Sequence, residues 1–225
     1  MFLKSLRTIA QTHETMSLEA AITSGNAPLV WLMIDNGEMV NTTSFVHAWY
    51  SGKTEIVRML LELPVDRGVN PAADENLALR FACYSGQTEI VRMLLDLSLD
   101  RGVDPSARDN EALRGASERG QTEIVRLLLD LPLDRCVNPT AKNNDALMGA
   151  CVSGRTEIVR MFLALPPDRG VNPAANDNLA LRSARANGRM DVVRLLLDLP
   201  AERGVNDTRA LSWIRDVRRV QMFPV

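Results

Sequence analysis

A seven-residue phrase returns five times at a fixed spacing of 34 residues: Gly52-Lys-Thr-Glu-Ile-Val-Arg, Gly86-Gln-Thr-Glu-Ile-Val-Arg, Gly120-Gln-Thr-Glu-Ile-Val-Arg, Gly154-Arg-Thr-Glu-Ile-Val-Arg and Gly188-Arg-Met-Asp-Val-Val-Arg. A period of this length belongs to arrays of stacked supersecondary units, each of which buries its apolar face only against its neighbours. Such an array offers a long surface and no central pocket. The repeat therefore favours recognition over catalysis before any single side chain is considered.

Residues 109 to 139 serve as the specimen unit. Asp109 and Asn110 are expected to cap a helix whose apolar positions are Ala112, Leu113 and Ala116, and Gly120 is expected to end it. This is helix A. Thr122 is expected to cap a second helix, with Glu123 in a first turn that favours negative charge. Ile124, Val125, Leu128 and Leu129 form its stripe, widened by Leu127 and Leu131, so helix B is apolar around most of its girth, as burial between two neighbours requires. Glu123, Arg126 and Asp130 share its polar face at helical spacing, and Pro132 stops it. Leu-Asp-Arg-Cys-Val-Asn-Pro follows, matched by Leu-Asp-Arg-Gly-Val-Asp-Pro from Leu99 and by Pro-Asp-Arg-Gly-Val-Asn-Pro from Pro167. Prolines around a glycine impose a turn and an extended exit. The unit is thus helix, tight turn, helix, long loop.

The stretch from Asn110 through Leu129 resembles the ankyrin repeat. Leu113 falls on the family's signature leucine, Arg114 on its histidine, Ala116 on its first alanine, Gly120 on its glycine and Gln121 on the following histidine. Tetratricopeptide units share the period, but their Trp, Tyr and Pro pattern is absent. The chain departs from the family at two places. Sixteen residues separate Gly120 from Cys136, more than is usual, and nine separate Cys136 from Asp145, fewer than is usual. The loop after helix B is longer, and the β-hairpin finger is expected to be shortened.

The resemblance implies an all-α fold, an α-solenoid of about six ankyrin-like helix-turn-helix repeats with capping helices at both ends. The expected divisions are 16–41, 42–75, 76–109, 110–143, 144–177 and 178–206, between an N-cap segment at 1–15 and a C-cap at 207–225. Terminal units must differ from the rest because their outer faces meet water.

Composition narrows the partner. A formal net charge of -2 supplies no field for nucleic acid, and aromatics at 4% leave few stacking platforms for bases. No apolar run is long enough to span a bilayer, so no membrane association is expected. The first residues carry Lys4 and Arg7, with Phe2, Leu3, Leu6 and Ile9 able to share a helical face. A targeting presequence has this look, and a helix capping the first repeat is the simpler reading. Cys83, Cys136 and Cys151 are odd in number and never spaced as CxxC, which suits reduced thiols in the cytoplasm, or in the nucleus.

Chemistry-bearing constellations are sparse. Gly52-Lys53-Thr54 ends like a phosphate-binding loop, but His47 occupies the place of its first glycine and a helix precedes it where a strand should. His13 and His47 are the only histidines, so no nucleophile-base set, metal site or cofactor is expected. The Asp-Arg pair at 66/67, 100/101, 134/135 and 168/169, with Glu202-Arg203 after it, recurs in every unit. A residue common to all copies serves a need common to all, such as bonding loop carbonyls. Cys136 stands where the sister loops have Gly; if that position has φ > 0, the β-carbon costs about 1 kcal/mol.

Positions that vary between copies are released from the stacking requirement. In the family, residues just before the helix-ending glycine line the concave groove, and this comparison nominates Trp49, Tyr50, Tyr84, Ser85, Glu118, Arg119, Val152 and Ser153 as partner-binding. The alternative for Trp49 and Phe81 is that they plug gaps between repeats. The resemblance implies a non-catalytic scaffold that binds a protein partner through the helix A surface and is monomeric unless part of a complex. A structural subunit clamped in a larger assembly, and an adaptor presenting a client to a modifying enzyme, are the alternatives.

Overall fold

The structure, a computed structural model, describes residues 16–64, 67, 69–135, 137–166, 169 and 171–200. Among these residues every regular element is helical, and twelve α-helices fall into six pairs. The pairs are α1 (Leu18–Ser24) with α2 (Ala27–Asp35), α3 (Thr42–Tyr50) with α4 (Thr54–Glu62), and α5 (Ala73–Ser85) with α6 (Thr88–Leu95). They continue as α7 (Ala107–Arg119) with α8 (Thr122–Leu129), α9 (Ala141–Ser153) with α10 (Thr156–Ala164), and α11 (Ala175–Ala186) with α12 (Met190–Leu197). The proposed caps at 1–15 and 207–225 lie outside the described residues. So do Val65, Asp66, Cys136, Asp168 and the pair Glu202-Arg203.

The chain divides into two units, one built on α1 to α6 with most of α7 and α8, the other on α9 to α12 with the α7–α8 turn. In the first unit α1, α3 and α5 stack as one layer and α2, α4 and α6 as the other. In the second, α9 packs on α11 and α10 on α12. Each unit thus has the two-layer stacking of a solenoid.

The stripe read from the sequence makes the core. Ile56, Val57, Leu60 and Leu61 of α4 are buried, and Ile90, Val91, Leu94, Leu95 and Ile158, Val159, Phe162, Leu163 occupy the same places in α6 and α10. Each such side chain contributes about 1.5–3 kcal/mol by leaving water. The A helices answer with small residues, Ala78 and Ala82 around Leu79 in α5, Ala146 and Ala150 around Leu147 in α9. Small side chains let neighbouring A helices approach closely.

Three local expectations are corrected. Thr122 does not cap helix B: it is the first residue of α8, and its hydroxyl points as a donor, at 3.5 Å, toward the carbonyl of Gly120. In α4, α6 and α10 the cap position belongs to Lys53, Gln87 and Arg155, none of which makes a side-chain cap bond.

Asp109 and Asn110 do not take the extended backbone of a usual helix cap either. With Arg108 they form a left-handed turn, at φ 53°, 56° and 59°, and the same turn occurs at 74–76, 142–144 and 176–178. The left-handed region costs an ordinary L-residue roughly 1–2 kcal/mol, least for Asn and Asp, and the third residue of every turn is Asn. The buried side chain of Asn76 reaches forward into the next loop, where its Oδ1 accepts the Asp104 amide at 2.9 Å; Asn144 accepts the Asn172 amide at 3.2 Å. Arg80 secures the turn from within its own helix, donating from Nε to the carbonyl of Glu75 and from Nη2 to that of Asp74, each at 2.9 Å.

The third correction concerns the finger. No β-hairpin, long or short, is present among the described residues. Asn70 instead accepts the Ala72 amide at 3.0 Å and Asn138 the Thr140 amide at 2.9 Å, side-chain turns that lead directly into the left-handed turn and helix A.

The recurring Arg of the Asp-Arg pair has a scaffold role. Arg67 donates to the carbonyl of Ile34, Arg101 to Leu61 and Arg135 to Leu95, at 3.3, 3.2 and 3.1 Å. These carbonyls close the preceding helix B, where a cation also suits the dipole. On the exposed face, Arg58 pairs with Glu89 at 2.9 Å and Arg92 with Glu123, so the repeated Glu and Arg of helix B join neighbouring repeats.

Candidate functional site

The nominated residues sit at the C-terminal ends of the A helices. There, a residue of one repeat faces the residue 31 places later in the next. Tyr50 stacks on Phe81, with ring centroids 4.8 Å apart and planes at 28°. Tyr84 lies over Gly115, where a β-carbon would meet its Cδ2 at 3.4 Å, and Glu118 lies over Gly149, also at 3.4 Å.

In the first unit, Tyr50 is 63% and Tyr84 40% exposed, and Ser85 is exposed beside them. Trp49 is different: it is only 3% exposed. Its ring lies 5.1 Å from that of Phe81 and meets Tyr50 edge-on at 6.2 Å. Trp49 therefore buttresses the platform from below and presents no face to a partner, because one residue's rotation about α3 carries it from surface to core. Tyr50, Phe81, Tyr84 and Ser85 make an uncharged, aromatic surface.

The corresponding ends in the second unit are charged. Glu118 and Arg119 are exposed, and Val152 and Ser153 are half-buried. Arg155 donates from Nε to the carbonyl of Glu118 at 3.3 Å, and Arg189 does the same to Val152 at 3.0 Å. Both side chains cross the helix-ending glycine of the repeat before: a β-carbon at Gly120 would lie 2.8 Å from Arg155 Nε, and one at Gly154 2.7 Å from Arg189 Cδ. The two arginines are exposed, and the sequence reading did not nominate them. The signal was present, since the place after the glycine reads Lys53, Gln87, Gln121, Arg155 and Arg189 across the copies.

Beneath these ends lie two thiols, both free and buried. Burial pushes the Cys83 thiol far up and the Cys151 thiol up to about 12, so neither supplies a thiolate nucleophile. Lys53 lies along the preceding turn, with Nζ 3.3 Å from where a Gly25 β-carbon would be. The cavity between α3 and α5 measures about 10 Å³, room for one water at most. Among the described residues no group of three or more His, Cys, Asp or Glu is placed to hold a metal ion, and no helix is long and apolar enough to cross a membrane.

A family model described as "Ankyrin repeats (3 copies)" matches residues 18–109 and 113–208, well over half of the chain. No curated protein matches it.

Proposed function

Because the chain belongs to the ankyrin-repeat family, we propose that it is a non-catalytic recognition module that binds a protein partner through the ends of its A helices. The observation that carries this reading is Tyr50, 63% exposed yet already stacked on Phe81. Aromatic side chains dominate the energetics of interfaces, and a ring held in place before binding loses little further freedom when a partner covers it. Tyr84 and Ser85 extend that surface in the first unit. Glu118, Arg119, Arg155 and Arg189 give the second unit a polar counterpart, with Val152 and Ser153 between them.

The repeated polar groups support the same division of labour. Asn76, Arg80, Arg101 and Arg135 are committed to bonds within and between repeats, so the scaffold is bonded internally and the varying positions remain for a partner. We extend the reading to a reducing compartment, the cytoplasm or the nucleus, on the ground that Cys83 and Cys151 are unpaired thiols.

The test is recovery of complexes from the native cell with the wild-type chain and with the double variant Tyr50→Ser/Tyr84→Ser. A partner enriched by the wild type and reduced at least tenfold by the variant, at unchanged thermal stability, is the expected outcome. Full retention of every partner by the variant would refute the assignment.

A further inference from the structure

Two arginines at the helix A ends of the second unit carry charge that no carboxylate answers among the described residues. Arg155 and Arg189 are exposed, and each spends its Nε–H on a carbonyl of the preceding helix A, that of Glu118 at 3.3 Å and that of Val152 at 3.0 Å. Neither guanidinium has a further bond or ion pair among the described residues, so the Nη groups of both remain as donors. The helix B arginines differ: Arg58 and Arg92 are paired with Glu89 and Glu123, and Arg194 with Asp191 at 3.7 Å. Arg119 and Arg185 add positive charge to the same ends, where Glu118 is the one carboxylate within 117–119, 149–153 and 183–187. Between the Gly154 and Gly188 turns lies a polar groove of about 240 Å³, lined by Ser153, Thr156, Arg189 and Asp191, with room for one carboxylate side chain.

We propose that the second unit binds an extended acidic segment of the protein partner, with carboxylates three residues apart seated on Arg155 and Arg189. The inference rests on the helix A ends being the recognition surface and names the chemistry they select. The Nε bonds, and the close pass of each side chain over Gly120 or Gly154, hold the guanidinium forks before a ligand arrives. A fork already oriented loses little freedom on pairing with a carboxylate. The spacing follows from the stacking, since packed helices lie about 8–10 Å apart and three residues of extended chain cover about 10 Å. A nucleic acid would bring a charge at every nucleotide and gain most from a broad positive field, which a chain of net charge -2 does not supply.

Fluorescence anisotropy on the full chain at low salt tests this, with two amidated probes, Glu-Pro-Pro-Glu-Pro-Pro-Glu and its Gln counterpart, both kept extended by their prolines. The Glu probe is expected to bind at least tenfold tighter than the Gln probe. Arg155→Gln/Arg189→Gln, at unchanged thermal midpoint, should abolish the difference. Arg58→Gln/Arg92→Gln, which removes the same charge from the B helices, should preserve it. Glu118→Gln should tighten the Glu probe severalfold, a second readout that stands even where the arginine variant fails to fold. Equal affinity for the two probes, equal loss in both arginine double variants, or an oligothymidylate that binds as tightly as the Glu probe would overturn the proposal. The platform is separable: a chain that loses its native partner with Tyr50→Ser/Tyr84→Ser yet does not distinguish the probes keeps the platform and refutes the acidic segment alone.

Discussion

The ring of Tyr50 stacks on that of Phe81, one repeat further along, and leaves most of its own surface to solvent. The adjacent Trp49 is buried under the same pair. Neighbours in sequence thus have separable jobs. Trp49→Ala removes a buried ring and is expected to cost about 3–5 kcal/mol. Tyr50→Ala should cost less than about 1 kcal/mol, because the ring is largely exposed, while weakening partner binding by tenfold or more. Urea unfolding combined with binding titration separates the two; equal destabilisation by both variants would contradict this reading.

Gly120 illustrates a backbone requirement compounded by a close approach. Its φ is +83°, and Arg155 passes where a β-carbon would be. Gly37 has φ +95° with nothing within 4 Å of that place. Gly37→Ala is expected to cost about 1 kcal/mol from the backbone alone. Gly120→Ala should cost measurably more in the same urea assay, and the excess should shrink in Gly120→Ala/Arg155→Ala.

Asn76 carries two roles that substitution can divide. Glycine keeps the left-handed conformation but loses the bond to the Asp104 amide; alanine loses both. An orphaned amide, here part-buried, costs about 1–3 kcal/mol. Asn76→Gly is therefore expected to fall in that range, and Asn76→Ala below it in stability by about 1 kcal/mol more. Chemical denaturation of the two variants gives the comparison directly.

Thiol chemistry supplies a pH-dependent test. An ordinary thiol is substantially ionised near pH 9, whereas one pushed up to about 12, as Cys151 is, remains protonated there. Cys83 is shifted further in the same direction. Both should resist iodoacetamide at pH 9 in the folded protein and react at once in denaturant. The sign for stability follows: these folded pKa values are raised, so the contribution is complete below pH 9 and is lost as pH rises toward the folded value, with slope up to about 1.4 kcal/mol per unit per thiol. Mass spectrometry of the alkylated peptides and stability measured from pH 8 to 10 provide the checks.

Much of this fold was legible because the information is periodic. The apolar stripe from Ile124 to Leu129 and the glycine that ends each helix A carry their own geometry. The turn at 108–110 was not legible, since Asp and Asn before an apolar run read equally well as a helix cap, and only the bond from Asn76 to the following loop distinguishes the two. The position of Trp49 follows from helical register, since Cys83, Ser117 and Cys151 at the same place in the next three copies are buried too. The roles of Arg155 and Arg189 depend on a backbone 35 residues earlier, at Gly120 and Gly154.

The central claim is that the helix A ends form the recognition surface. Site-specific photo-crosslinking in the native cell tests it most directly, with a benzophenone side chain placed in turn at Tyr50, Tyr84 and, on the opposite helix layer, Arg58. The account predicts one protein captured from both tyrosine positions and not from Arg58. Capture from Arg58, with neither tyrosine position yielding an adduct, would contradict it.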